Sequence, residues 1–404
     1  MSYSSKYPSS KVQAIAVLFI LLITIINYLD RSAISYAIIP LENEFHLGNR
    51  DFGLIVGAFG IGYLGICFFA GLLIDRWGAV KIWCCCTVIW SLATLLMSLA
   101  QGFWSLLFLR LILGLAEAAH FPALLRVMTH WLEPQWRARC ISIGLLGVPV
   151  ASIIGAPFIS YLIEAFNWRL MFVVLGLLGL LWSIFWIWIF RGKEPQALLQ
   201  EKVSYLQFFK NPLFIGNCFN FFIFGYTVFF ALMWLPGYIQ QTFALDLIKT
   251  SGIALFPWIS SAFFVVLGGV ISDALWKKTE STRIARVYPI AFGMALSGLS
   301  FFAISFSDQL SFDILFLSLG LGFAFFVNAP LYSLNADLFK ENVATAQGIM
   351  TGFFALAGIV SPSLTGWLTQ STGNFKSAIL LVSLLSLLAF FIALFLQRVR
   401  AKDA

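Results

Sequence analysis

Residues 71–81 read GLLIDRWGAVK and join two long apolar stretches of the chain. A shorter copy of the pattern, GVISD, occupies residues 269–273 and is followed by two lysines. In both copies a glycine precedes an aspartate by four residues, where an apolar stretch gives way to a basic segment. Gly71 allows a helix to approach its neighbour closely, and Gly78 permits a tight turn. Two such patterns at matching places indicate a chain built from two related halves.

The composition of the whole chain shows what kind of halves these are. Of the 404 residues, 60% are hydrophobic, 17% aromatic and only 11% charged, and the mean hydropathy is +0.92. A typical soluble domain carries about 25% charged residues, and a soluble chain of this length could not bury so much apolar side chain. The composition therefore excludes a soluble enzyme, a nucleic-acid-binding protein and a disordered scaffold. It predicts an integral membrane protein whose surface contacts the lipid bilayer.

About twelve stretches are apolar enough to cross a bilayer, which takes about 20 residues each. The predicted spans are 13–39, 52–73, 80–100, 103–129, 139–164, 168–190, 211–238, 249–272, 283–305, 311–332, 345–370 and 375–397. The polar segment 191–210 divides them into two sets of about six, the arrangement of a duplicated transporter. We therefore predict an all-α polytopic protein with two pseudo-symmetric six-helix bundles. The N-terminal bundle covers residues 1–190, the cytoplasmic linker 191–210 and the C-terminal bundle 211–404.

The positions of the cations predict the orientation in the membrane. The formal net charge is +7, and most of the 25 Lys and Arg fall in cytoplasmic segments if both termini lie inside the cell. We therefore expect both termini in the cytoplasm and a bacterial-type inner membrane. Three of the six cysteines form the run 84–86, with no histidine or carboxylate beside them. This spacing does not suit a metal site or disulfides, so no metal and no cofactor are expected.

Ionisable residues inside the predicted spans are few. Asp30 and Arg31 lie in the first span, and Arg110 and Glu117 lie in the fourth. Charge at bilayer depth is costly, so such side chains face the protein interior and mark functional sites. Arg110 and Glu117 are seven residues apart and share one helix face, about 10 Å apart along the axis. Two buried ion pairs that only hold the spans together are the structural alternative.

We find no comparable charges in the predicted spans of the second half. This asymmetry predicts that the first half carries the coupling chemistry and the second half supplies substrate contacts. His120, one turn from Glu117, could relay protons or simply bond a neighbouring group.

Several motifs resemble those of a known family. The loop at 71–81 resembles the Gly-xxx-Asp-Arg-x-Gly signature between spans two and three of the major facilitator superfamily. NYLDR at 27–31 and RLILGLAEAAHFP at 110–122 resemble its anion:cation symporter branch. That branch includes proton-coupled carriers of hexuronates, galactonate and glucarate, together with sialin and the vesicular glutamate transporters. The resemblance covers nearly the whole chain and implies two helical bundles that rock about a central site.

The resemblance also implies roles for individual residues. Asp30 and Glu117 would be proton sites, and Arg31 and Arg110 would hold a carboxylate. Tyr28 and Tyr63 would contribute hydroxyl groups to the cavity. The conformational latch between spans would comprise Gly71, Asp75, Arg76, Gly78 and Asp273. We expect substrate reaching Arg110 to compete with Glu117 for that arginine, so that Glu117 takes up a proton more readily.

The second half departs from the pattern of sugar-acid carriers. Where that branch places asparagines in span eleven, this chain has Thr351 and Ala355, and residues 147–149 replace an amide in span five. The cavity is therefore expected to be less polar than a polyol acid requires. The aromatic content could indicate an apolar or aromatic acid, or simply lipid-facing side chains. The remaining polar candidates, each of which could instead join helices, are Asn217, Asn220, Asn328, Tyr332 and Thr351.

The sequence thus predicts a secondary transporter that imports a small organic anion together with protons by alternating access. Members of this fold usually act as monomers, and we expect the same here. The alternatives are an exporter or exchanger of amino acids, drugs or iron-chelating metabolites, and a membrane sensor that binds a ligand without moving it. An enzyme is not expected, because the chain has no Ser-His-Asp arrangement, His-Glu-x-x-His motif or phosphate-binding glycine loop.

Overall fold

The structure, a computed structural model, describes residues 10–131, 144, 146–192, 205–307, 309–339 and 343–397. The helices of this part of the chain are α1 (Ser10–Tyr36), α2 (Ile38–Phe45), α3 (Asn49–Trp77), α4 (Ala79–Met97), α5 (Phe103–Glu117), α6 (His120–Trp131), α7 (Gly147–Ala165), α8 (Trp168–Phe190), α9 (Pro212–Phe243), α10 (Leu247–Thr279), α11 (Tyr288–Ile304), α12 (Leu310–Phe326), α13 (Asn328–Leu338), α14 (Val343–Thr372) and α15 (Lys376–Phe395). A 3-10 turn over Tyr205–Lys210 precedes α9, and a π-helical turn over Arg283–Val287 precedes α11. The described chain contains no strand.

These helices confirm the all-α polytopic fold. Eleven helical segments of the described chain are long and apolar enough to cross a membrane. A shorter apolar helix, Val150–Ala165, lies where the fifth span was predicted. The helices form because their backbone groups bond within each segment, which is the arrangement that a bilayer without water requires.

The chain folds into two compact units. The first comprises residues 1–45 and 58–200, and the second comprises residues 46–57 and 201–404. Residues 46–57, which include the start of α3, therefore pack with the second unit. The predicted domain boundaries remain a prediction, and residues 193–204 of the predicted linker lie outside the described residues.

Two glycines bring α3 and α5 into close contact in the first unit. A Cβ atom at Gly62 would collide with the carbonyl oxygen of Leu111, and one at Gly114 would collide with that of Phe59. Small residues allow such backbone contact, which favours helix association in an apolar medium. The contact places the helix that carries Arg110 and Glu117 against the side of α3 that carries Phe59.

The fourth and tenth predicted spans, 103–129 and 311–332, are each broken into two helices. One break lies between α5 and α6, and the other lies between α12 and α13. The same offset in sequence separates His120 from Asn328, Gly114 from Gly322 and Pro122 from Pro330. Both prolines lie in the first turn after the break, where a missing N–H is tolerated. The breaks are therefore equivalent features of the two halves.

Candidate functional site

A buried ion pair joins α1 to α5 in the first unit. Arg31 donates from Nη2 to Glu117 Oε2 at 2.8 Å and from Nε to the same oxygen at 3.1 Å. Its Nη2 also reaches Asn27 Oδ1 at 3.4 Å. Arg31 is 2% exposed and Glu117 is fully buried, so the pair is shielded from water and from screening by salt.

Three aromatic rings enclose the Arg31 guanidinium. Its Cζ lies 4.7 Å from the ring centroid of Tyr28, 4.7 Å from that of Phe59 and 5.4 Å from that of Tyr63. At these distances the ring faces attract the cation. The predicted hydroxyl donors Tyr28 and Tyr63 are thus placed beside Arg31, where their rings also serve to hold the cation in a fixed position.

Arg110 is the second buried cation of this cluster. It is fully buried, its Nη1 donates to the Arg31 backbone oxygen at 3.3 Å, and its Cζ lies 5.1 Å from the Phe59 ring centroid. Its Nε and Nη2 have no hydrogen-bond partner among the described residues. Two unpaired N–H groups on one guanidinium form the fork that binds a carboxylate through two parallel bonds.

Asp30 supplies a second buried carboxyl. It is 1% exposed, and within the described part of the chain neither of its carboxylate oxygens has a hydrogen-bond partner. Asp30, Arg31, Arg110 and Glu117 thus belong to one buried cluster of formally balanced charge, in which one ion pair is formed.

The structure corrects the expected partner of Glu117. The sequence suggested competition for Arg110, because that residue shares a helix face with Glu117. Glu117 instead bonds Arg31. Helical spacing gives the distance along one axis, but the neighbouring helix decides which cation reaches the carboxylate.

His120 lies in an aromatic pocket of the same unit. Its Nε2 lies 3.3 Å from the Thr24 hydroxyl, and its ring centroid lies 5.5 Å from that of Trp83 and 6.1 Å from that of Trp90. Both tryptophans are fully buried. These contacts fit a histidine that joins α6 to α1 and α4.

The polar candidates of the second unit fall into two groups. Asn217 and Asn220 are fully buried: Asn217 Nδ2 donates to the Leu331 carbonyl at 2.9 Å, and Asn220 Nδ2 donates to Gln397 Oε1 at 3.4 Å. Asn217 therefore joins α9 to α13, and Asn220 joins α9 to the segment after α15, while the Oδ1 atoms of both amides have no partner among the described residues. The second group is less buried and comprises Asn328, Tyr332 and Thr351.

The structure also corrects the expectation that the second half has no buried charge in its spans. Asp313, in the first turn of α12, is 1% exposed. Its Oδ2 accepts a hydrogen bond of 2.6 Å from the Tyr238 hydroxyl of α9. The aspartate was visible in the predicted span 311–332, but its position near the helix end gave no signal that it is buried.

The predicted latch residues are only partly described. The side chains of Asp75 and Arg76, and the surroundings of Gly71, lie outside the described residues. Gly78 has φ 92° at the turn before α4, a conformation that favours glycine.

In the second copy of the motif, Asp273 accepts a hydrogen bond of 3.0 Å from Arg286. Arg286 is 6% exposed, and it also donates to the Ser272 hydroxyl at 2.7 Å and to Asp337 at 3.0 Å. Sequence reasoning missed Arg286 and Asp337. A basic residue within the predicted ninth span and an acidic residue just after the tenth were the only signals.

Membrane-crossing helices in two units, one of which encloses a cluster of arginines and carboxyls, define a polytopic membrane transporter. The chain belongs to the Major Facilitator Superfamily, which matches residues 20–342 and, in a second match, residues 281–404. The resemblance noted in the sequence is thereby confirmed, and the chain is a transporter rather than an enzyme.

Its relatives include carriers of organic acids. The chain is 29% identical over 398 residues to the hexuronate transporter of Bacillus subtilis (strain 168), covering 94% of this chain and 93% of that protein. It is 27% identical over 416 residues to a probable galactarate/D-glucarate transporter of Escherichia coli (strain K12), with 94% and 93% covered.

A solved structure shares the fold. It is a bacterial homologue of the human lysosomal transporter Spinster, in an inward-facing and occupied conformation. The similarity has a TM-score of 0.82 at 18% identity and covers 98% of this chain and 99% of that one.

Proposed function

We propose that this transporter moves a small organic anion, a carboxylate, in symport with protons by alternating access of its two bundles. The single observation that carries the proposal is the buried cluster of the first unit. There Glu117 occupies Arg31, while Arg110 and Asp30 keep unpaired polar atoms within the described residues. The organic-acid carriers among its relatives support the same substrate class.

The cluster suggests how anion and proton are coupled. A substrate carboxylate that takes the two N–H groups of Arg31 now bonded to Glu117 displaces that side chain. A displaced carboxylate remains buried and unpaired, which is costly unless it binds a proton. Anion binding at the arginines therefore favours proton binding at Glu117, and Asp30 is the second proton site. Tyr28 and Tyr63 hold Arg31 in place for the exchange.

The remaining candidate site residues have the roles proposed from the sequence, and fewer contacts support each of them. Asn328, Tyr332 and Thr351 are the substrate contacts of the second unit that are not fully buried. Asn220 has the weaker claim, because its amide bonds Gln397. Gly71, Asp75, Arg76, Gly78 and Asp273 form the latch, and the Arg286 bond to Asp273 is the described contact that supports it.

The test is proton movement into proteoliposomes, read by an internal pH dye as carboxylates are added outside. Glu117→Gln keeps the shape of the side chain and cannot be protonated as an acid. We expect the wild type to acidify the interior when its substrate is added. The variant should lose substrate-driven proton entry while it retains substrate exchange.

Glu164→Gln is the matched control, because it removes an exposed carboxylate of α7 that is not part of the cluster. It should behave as the wild type does. Silence for every carboxylate, or a response only to amines or neutral compounds, contradicts the proposal and favours an exporter or a sensor. Equal loss of exchange and of proton entry in Glu117→Gln contradicts the coupling step alone.

A further inference from the structure

A cluster of cations lies at the turn that joins α10 to α11 in the second unit. It comprises Lys277 and Lys278, in the last turn of α10, and Arg283, in the π-helical turn that precedes α11. We call these three residues the basic cluster. All three side chains are exposed, and none has an ion-pair partner among the described residues. The segment 277–288 holds one acid, Glu280, so positive charge predominates at this end of the unit.

The nearby aspartates do not pair with the basic cluster, because Arg286 binds both of them. Arg286 donates from Nη1 to Asp273 and from Nε to Asp337, each at 3.0 Å. Asp273 lies one turn before Lys277, yet the ion pair that it forms is with Arg286. Arg286 is 6% exposed, whereas Arg283, in the same π-helical turn, is exposed. One arginine of the turn thus faces the interior of the unit and the other faces its surface.

An exposed apolar stripe of α11 begins next to the basic cluster. Tyr288, Phe292 and Leu299 are 43%, 56% and 54% exposed, and their spacing of four and seven residues places them on one face of the helix. The Arg283 Cζ lies 5.4 Å from the centroid of the Tyr288 ring. Tyrosine is enriched where a bilayer meets water. The helix therefore presents, in order, a cation, an interfacial ring and a face for lipid chains.

A phospholipid with a net negative headgroup matches both features. Its phosphate accepts hydrogen bonds from lysine and arginine, and its acyl chains pack on the apolar stripe. Phosphatidylcholine carries a positive charge beside its phosphate, and the basic cluster repels that charge. A soluble phosphate would meet the cations and leave the stripe unused. The charge and the apolar surface together therefore select an anionic lipid.

We propose that the basic cluster and the apolar stripe bind an anionic phospholipid of the phosphatidylglycerol type, in the leaflet that this end of the second unit contacts. In the predicted topology this is the cytoplasmic leaflet, where basic segments next to membrane spans meet anionic headgroups. The inference concerns a lipid site, and it holds whichever substrate the protein transports.

The experiment measures thermal unfolding of the purified full-length protein in a nonionic detergent as a probe is added. A ligand that binds the folded state raises the melting temperature. The probes are dioctanoylphosphatidylglycerol, dioctanoylphosphatidylcholine and glycerol 3-phosphate, which has the charge without the chains. We expect phosphatidylglycerol to act at lower concentrations than phosphatidylcholine, and glycerol 3-phosphate to have no effect. The difference between the lipids should shrink in 1 M salt, where the Debye length is about 3 Å.

Lys277→Gln combined with Arg283→Gln, the cluster variant, removes two of the cations. Each cation near an anionic lipid strengthens binding about fivefold, so the half-maximal concentration of phosphatidylglycerol should rise about 10- to 30-fold. Lys11→Gln combined with Lys210→Gln is the control, because both lysines are exposed and lie outside the basic cluster. It loses the same charge and should respond as the wild type does. Lys277→Arg combined with Arg283→Lys keeps both charges and should retain most of the response.

Each half-maximal concentration is taken from the rise above the same variant's melting temperature without lipid, so a loss of stability does not imitate a loss of binding. Equal effects of the two lipids on the wild type would overturn the inference. So would an unchanged response of the cluster variant, or an equal loss in the control variant, which would trace the effect to the overall charge of the protein. Protection by glycerol 3-phosphate at the concentrations at which the lipid acts would assign the basic cluster to a soluble phosphate instead.

Discussion

At the scale of single residues, the two buried arginines are not equivalent. Arg31 is saturated by Glu117 and by three aromatic rings, whereas Arg110 keeps Nε and Nη2 unpaired within the described chain. On the proposed function, Arg31 exchanges Glu117 for the substrate and Arg110 captures the anion first. Variants of the two arginines should therefore differ in their transport kinetics.

Arg110→Lys tests the capture role. Lysine keeps the positive charge but loses the planar fork that binds a carboxylate through two bonds. A hydrogen bond to a charged group contributes about 1.5–3 kcal/mol, so KM for the anion should rise roughly 10- to 100-fold. Uptake kinetics in proteoliposomes measure this KM. Unchanged KM would show that Arg110 serves structure only.

Sequence reasoning reached the members of this cluster but not their pairing. The four charges stood out because the spans hold so few, and burial follows from the cost of charge in a membrane. Which arginine meets Glu117 depends on how α1 is turned against α5, and no spacing within one helix contains that information. The burial of Asp313 was missed for the same reason, because it depends on Tyr238 of another helix.

At the scale of helices, the contact between α3 and α5 positions the site. Gly62 and Gly114 leave no room for a side chain at their crossing. Any increase in their size moves Arg110 and Glu117 away from α1 and α3. The crossing therefore links the packing of an element directly to the chemistry it carries.

Gly114→Ala should lower the stability of the protein by about 1–3 kcal/mol, the usual effect of overpacking. It should also impair uptake. Gly252→Ala is the matched change, because a Cβ there meets no atom within 4 Å. That variant should be neutral or slightly stabilised, since alanine favours a helix over glycine. Thermal unfolding in detergent compares the two, and equal melting temperatures would contradict the packing argument.

The short helix α2 contains two glutamates with opposite pH behaviour. Burial raises the pKa of Glu42 to about 7. A hydrogen bond from Arg169 lowers the pKa of Glu44, and the Trp168 indole also donates to it at 2.9 Å. Folding therefore favours the neutral form of the first carboxyl and the ionised form of the second.

The two shifts predict different pH profiles. At pH values below about 4.3, the usual pKa of glutamate, protonated Glu42 contributes its full share to the stability of the fold. This stabilisation is lost as the pH rises toward about 7, the pKa of Glu42 in the folded protein. Glu42→Gln should therefore melt at a higher temperature than the wild type at pH 8 but not at pH 5. Glu44→Gln should be the less stable variant at pH 8, and its deficit should shrink as pH falls below about 4. Melting temperatures measured across this pH range test the prediction. Parallel pH profiles for the two variants would contradict it.

At the scale of the whole molecule, composition and the pattern of apolar stretches were enough to predict the membrane fold. A chain with 11% charged residues and twelve apolar stretches has few other solutions. That the fourth and tenth spans are broken at equivalent places was not predicted, because the windows around Pro122 and Pro330 remain apolar on average, even with Glu117 and His120 inside the first of them. Hydropathy reports where the membrane is crossed and not whether one helix or two make the crossing.

The orientation is a testable property of the entire chain. The distribution of Lys and Arg predicts that both termini lie in the cytoplasm of a bacterial cell. A fluorescent protein that matures only in the cytoplasm should therefore report from either end, while alkaline phosphatase fused at the same ends stays inactive. The reverse pattern would invert the topology and move the Asp273–Arg286 bond to the opposite face of the membrane.

The offset in sequence that separates His120 from Asn328 also pairs Glu117 with Phe325, so these two equivalent positions have diverged, and this has an evolutionary consequence. On the division of roles that the sequence predicts, the first half of the gene encodes proton coupling and the second half supplies substrate contacts. Mutations that change which substrate is transported can then accumulate in the second half without altering proton coupling. Recombination between related genes near residue 200 would join the proton-coupling half of one transporter to the substrate-contacting half of another in one event.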